Sequence, residues 1–165
     1  MNFFKDIDNQ RVFFNSFKTL NYIDRKAVLE KLHKEIEIRE QEIMTALFAD
    51  FKKSEYESYM TELGMVYLDL KNHIKKLKSW MKPKKVSSSI LNFPSSEYVQ
   101  KHPFGQVLII SPWNYPFLLA LHPLISAIAA GNVVVLKPSE LTPNTSAIIK
   151  KIIQNVFSLD NDGLF

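Results

Sequence analysis

Apolar residues recur at helical spacing through the first half of the chain. Over residues 24–51, Leu29, Leu32, Ile36, Ile43 and Leu47 fall at steps of three, four and seven, which predicts one amphipathic helix. Lys31, Lys34, Glu37 and Glu40 take its wet face, and Asp24 is the expected N-cap. A second helix is predicted to begin at Ser54, which has capping-box spacing to Glu57. Tyr59, Leu63, Val66, Leu70, Ile74 and Leu77 then form one stripe, and Pro83 sets the latest end. Two long helices in succession predict an antiparallel pair laid over another layer.

The pattern then changes. Residues 84–94 are serine-rich without helical period and read as a connector. Residues 97–102 have strand character in Tyr98 and Val99, interrupted by Pro103 and Gly105. Residues 106–111, "QVLIIS", read as a short strand buried on both faces. Residues 117–130 read as a helix with Pro123 at a kink or new turn, and Gly131 suits the position just past its end. Residues 132–136, "NVVVL", predict a second buried strand. Thr142 as N-cap and Pro143 at the first helical position open a helix to about Phe157, with Ile148, Ile149, Ile152, Ile153 and Val156 as its apolar face. The order helix, helix, irregular strands, β-α-β-α predicts an α/β fold with a right-handed βαβ unit. A parallel sheet covered by helices needs more than two strands, so the expected class is the opening part of a larger α/β fold, itself incomplete.

Composition narrows this. The chain has 165 residues, 46% hydrophobic and 23% charged, which are globular values. Its formal charge of +4 is too weak to argue for nucleic acid. It has no cysteine, which excludes disulfides, thiolate metal sites and a cysteine nucleophile within it and fits a cytoplasmic protein. Residues 1–8 carry acidic side chains and no apolar core, so no secretory signal is expected. His122, Pro123 and Ser126 interrupt the longest apolar stretch, so no membrane span is expected either.

Two groups carry candidate chemistry. Asn114, in "PWNYP", follows the first buried strand, where open α/β sheets place ligands, and its amide can donate to a developing oxyanion. The competing reading is an asparagine that bonds its own turn. Lys137 and Glu140 follow the second strand. Together they can donate to and accept from ribose hydroxyls, or they can form a surface ion pair of little weight. Only Gly64, Gly105, Gly131 and Gly163 are present, with no phosphate-cradling glycine loop. The histidines at 33, 73, 102 and 122 have no ligand spacing, so no metal site is expected. Lysines 71, 75, 76, 78, 82, 84 and 85 cluster around Trp80. They suit a nucleic-acid or membrane surface, or simply a solvated helix end favoured by the helix dipole.

Taken together, Pro103-Phe-Gly105, Pro112-Trp-Asn-Tyr-Pro-Phe117, Ala127-Ile-Ala-Ala-Gly-Asn132 and Lys137-Pro-Ser-Glu140 resemble the aldehyde dehydrogenase superfamily, most closely its family 3 branch. Ala46-Leu47, Asp50, Lys52 or Lys53, Glu57, Glu62 and Leu77-Lys-Ser-Trp80 extend the resemblance, which covers roughly residues 20–157. It implies that Asn114 helps stabilise the oxyanion of a thiohemiacetal. It implies that Lys137 and Glu140 contact the adenosine ribose of NAD or NADP, and that Ile110, Pro112 and Trp113 line the nicotinamide and substrate region. It divides the chain into residues 1–80, a helical part of the cofactor domain; 81–103, an oligomerisation hairpin segment; and 104–165, the start of a Rossmann-like NAD(P)-binding domain. It implies an aldehyde substrate and a homo-oligomer, a dimer, with no nucleic-acid partner. The family's thiolate nucleophile and general-base glutamate have no counterpart here, and "SLDNDGLF" at 158–165 departs from the pattern where another strand is expected. The resulting expectation is the N-terminal segment of an NAD(P)-dependent aldehyde dehydrogenase, truncated and inactive alone. The alternative is a non-catalytic remnant or interaction module that pairs with a related subunit.

Overall fold

A computed structural model describes residues 3–157; the departure from the family pattern at 158–165 lies outside the described residues. Seven helices and four strands follow in order: α1 Phe3–Asn15, α2 Tyr22–Ile38, α3 Glu40–Phe51, α4 Glu55–Ser58, α5 Gly64–Trp80, β1 Lys84–Val86, β2 Glu97–Val99, β3 Gln106–Ile110, α6 Pro116–Ala130, β4 Val133–Lys137 and α7 Pro143–Val156. A π-turn, Tyr59–Leu63, joins α4 to α5.

The helix expected over 24–51 is two helices. The chain breaks at Arg39, with φ −106° and ψ 14°, where the guanidinium bonds Glu35 and, at 2.7 Å, Glu42. The apolar period runs on across the break, so the pattern alone conceals it. Asn21, and not Asp24, caps α2: its side chain accepts from the Ile23 N–H at 2.9 Å, and Asp24 sits in the first turn. Ser54 caps as expected, accepting from the Glu57 N–H at 3.2 Å. Beyond it Leu63, Val66, Leu70 and Leu77 are buried, whereas Tyr59 is 41% exposed. The π-turn adds a residue to one turn of helix, which rotates Tyr59 off the stripe. Helix α1, which no clean periodicity announces, lies against β3 and β4. Gln10 donates to the Val134 carbonyl at 2.9 Å, and Gln106 donates to Gln10 at 2.9 Å.

One core joins the N-terminal helices to α6, β4 and α7, running from Leu29 and Leu47 through Leu70 and Phe117 to Ile152. Helix α6 continues unbroken through Pro123. It ends at Gly131, whose φ of +91° suits glycine, and Arg25 reaches from α2 to the Ala129 carbonyl at 3.1 Å. Strands β3 and β4 are parallel, with Gln106 opposite Val133 and Ile110 opposite Lys137. They pair only with each other among the described residues. Burial of β3 on both faces is not observed: Ile109 is buried, but Leu108 and Ile110 are 62% and 66% exposed, because α1 meets that side of the sheet only at its start, at Gln106. Between α5 and β3 the chain forms an antiparallel hairpin, β1 with β2, and β1 lies within the stretch that lacks helical period and reads as a connector. Strand β2 stops at Val99, short of residue 102. No helix among the described residues is long and apolar enough to cross a membrane.

Candidate active site

The parallel register decides what meets at the sheet edge. Ile110 and Lys137 are partners, and the Ser111 N–H donates to the Lys137 carbonyl at 3.1 Å. The turn Ser111–Tyr115 and the loop Pro138–Thr142 therefore leave the same, C-terminal edge of the two strands, the edge at which open α/β sheets take ligands. The candidate oxyanion, ribose and nicotinamide positions stand at that edge. Ile110, Pro112, Trp113, Asn114, Lys137 and Glu140 are all exposed there.

The Asn114 side chain makes no hydrogen bond with any described residue, so it is not spent on its own turn. The residues after it are held in place. Tyr115 has φ +47° and ψ 52°, and Pro116 opens α6. The Phe117 and Leu118 N–H groups, free donors at a helix N-terminus, both donate to one oxygen of Glu62, at 2.9 and 3.2 Å. Glu62 is fully buried, and its other oxygen takes the Lys53 ammonium at 2.5 Å. A buried carboxylate is tolerable with such partners: an opposite charge and backbone dipoles pointed at it.

The other helix at this edge is treated alike. Thr142 does not cap α7 with its hydroxyl, as its residue type suggests. Its Oγ1 donates to the Ser139 carbonyl at 3.4 Å, and the Asp50 carboxylate accepts from the Asn144 and Thr145 N–H groups at 3.3 and 2.8 Å. Both helix N-termini at the ligand edge are thus occupied by the protein's own carboxylates. Neither is open to a phosphate, in keeping with the missing glycine loop.

Lys137 and Glu140 bond each other at 2.6 Å, and both are exposed. The hydrogen bond from Lys137 holds the Glu140 carboxyl below its ordinary value. The ammonium has three donors and spends one here, so it keeps donors for a ligand while Glu140 keeps acceptor capacity. That donor and acceptor set fits a ribose diol. Beside it, an apolar groove of about 710 Å³ runs between β4 and α7, with Leu136, Pro138, Ile149 and Ile153 in its wall. No group of side chains suited to a metal ion occurs among the described residues.

No pattern in the sequence assigns roles to Asp50, Lys53 and Glu62, although all three fall within the resemblance. Their partners are 95, 62 and 55 residues away in sequence, at Thr145, Tyr115 and Phe117, and only the fold brings them together. The one local signal is Glu62 itself, a charge set immediately before Leu63 of the apolar stripe.

The described residues form a mixed helix and strand fold, with two turns leaving the same edge of the parallel strands. The sequence profile of the aldehyde dehydrogenase family matches residues 5–162, and the chain belongs to that family. It is 42% identical over 155 residues to aldehyde dehydrogenase family 3 member I1, chloroplastic, of Arabidopsis thaliana, covering 94% of this chain and 28% of that protein. A Staphylococcus aureus AldH structure in a substrate-bound state superposes with a TM-score of 0.92 at 44% identity, covering 95% of this chain and 34% of that one. GapN, a glyceraldehyde-3-phosphate dehydrogenase of Methanocaldococcus jannaschii complexed with NADP, superposes with a TM-score of 0.80 at 25% identity, covering 93% and 32%. The chain spans about a third of the length of the relatives it matches.

Proposed function

We propose that this chain supplies the oxyanion-binding and ribose-binding part of an NAD(P)-dependent aldehyde dehydrogenase, which oxidises an aldehyde to a carboxylic acid. The observation that carries the reading is the shared strand edge, where the unspent Asn114 amide and the Lys137–Glu140 pair stand on adjacent strand ends. Asn114 donates to the oxygen of the aldehyde carbon as negative charge develops there. Lys137 and Glu140 hold the adenosine ribose of the cofactor, and Ile110, Pro112 and Trp113 line the nicotinamide end. Bound NAD(P)⁺ supplies the hydride acceptor. The thiolate that attacks the aldehyde, and the base that activates water, come from residues outside this sequence, which has no cysteine.

In the same proposal β3–α6–β4–α7 opens a Rossmann-like cofactor domain, completed by further strands. Residues 81–103 form the oligomerisation segment of a cytoplasmic homodimer. The hairpin supports this role: Ile90, Leu91 and Phe93 are 89%, 90% and 84% exposed, a concentration of apolar surface that suits a subunit contact.

The purified chain, given a medium-chain or aromatic aldehyde with NAD⁺ or NADP⁺, is expected to produce no reduced cofactor by absorbance. Steady turnover would show that it carries its own nucleophile and would overturn the assignment of roles.

A further inference from the structure

We infer that Lys53 and Glu62 are positioning residues for Asn114: an ion pair reaching from the N-terminal helices holds the turn that aims the oxyanion donor. The inference rests on the reading of Asn114 given above and adds residues that do not touch the substrate.

The turn needs holding. Tyr115 lies in the left-handed region, φ +47°, which a non-glycine residue keeps only when its surroundings impose it. Three contacts impose it from one side. The Lys53 ammonium sits 4.5 Å from the centre of the Tyr115 ring, a cation–π contact. Its partner Glu62 ties down the Phe117 and Leu118 N–H groups. The Leu119 N–H donates back to the Tyr115 carbonyl at 2.9 Å. On the other side the Ser111 N–H is fixed to β4. Asn114 stands between two anchored ends with its own amide unspent, so the backbone that carries the donor is fixed while the donor stays available.

The pairing also settles the charge. A lone carboxylate bound to the Phe117 N–H, so close to Asn114 along the chain, would repel a developing oxyanion. Lys53 cancels it at 2.5 Å, so Glu62 orders the helix start without opposing the negative charge that the turn is built to receive. The π-turn Tyr59–Leu63 carries Glu62, and such turns recur at functional sites in helices.

Hydrogen–deuterium exchange by mass spectrometry on the full 165-residue chain tests this. With Lys53→Met and with Glu62→Gln, peptides spanning residues 112–119 are expected to exchange about tenfold faster or more. Peptides within α7, capped independently by Asp50, should keep their rate, and Lys53→Arg should restore that of 112–119. If Glu62→Gln does not fold, Lys53→Met decides alone. Unchanged exchange at 112–119 in Lys53→Met would overturn the inference, as would uniform acceleration across the chain. The outcome is separate from the role of Asn114. Should the turn loosen while an Asn114 substitution leaves turnover intact in a hybrid enzyme, the positioning stands and the oxyanion reading fails.

Discussion

Asp50 shows how a single carboxylate ties the two parts of the chain. Its oxygens accept from the Asn144 amide at 2.7 Å, the Thr145 N–H at 2.8 Å and the Thr145 hydroxyl at 2.8 Å, so α3 holds the start of α7. Burial pushes this carboxyl up, and the hydrogen bonds from Asn144 and Thr145 outweigh it, leaving the group below its ordinary value of 3.8. A carboxyl depressed in the folded state contributes stability above its unfolded value and loses it as pH falls through the folded one. Asp50→Ala should cost about 1 kcal/mol near neutrality, the usual size of a lost helix cap. In urea unfolding from pH 7 down to about 2, the gap between wild type and variant should close only below the ordinary carboxylate range. A gap independent of pH would mean that the charge of Asp50 has no part in the cap.

At the scale of elements, the π-turn is the joint on which the candidate site depends. A methyl group on Gly64 would lie 2.9 Å from the Tyr59 carbonyl oxygen, a backbone atom that cannot yield cheaply. Gly64→Ala should therefore shift the turn that carries Glu62 and destabilise the chain by about 1–3 kcal/mol, read as a lowered urea midpoint. An unchanged midpoint would show that the turn tolerates the methyl. The legible elements were those whose cause is local. The β3–α6–β4–α7 unit announced itself through two short apolar runs, Gly131 and Pro143, and the stripe Leu63–Leu77 through its period. The break at Arg39 was hidden because the apolar period crosses it, and α1 because the contacts of Gln10 to Val134 and Gln106 span 124 and 96 residues. Asn114, Lys137 and Glu140 could be picked out from motif context. Their supports, Lys53, Glu62 and Asp50, are long-range partners, and only Glu62, a charge beside the apolar stripe, carries a local mark.

Across the whole molecule, one well-filled core coexists with surfaces that ask for cover. Leu108 and Ile110 face outward from β3, Phe104 is almost fully exposed, and β3 and β4 have no further strand beside them among the described residues. Unpaired strand edges beside apolar surface drive association. The isolated chain is expected to self-associate with rising concentration in sedimentation velocity; a monodisperse monomer with one sharp thermal transition would contradict that. The central claim is that Asn114 acts on the reacting oxygen. It is most directly tested by replacing the matching third of the Staphylococcus aureus enzyme, 44% identical to this chain, with these residues and comparing aldehyde turnover with and without Asn114→Ala. The hybrid should be active, and the substitution should lower kcat by about 10²–10³-fold with KM little changed, the cost of removing one oxyanion donor. Equal kcat in the two hybrids would contradict the role assigned to Asn114.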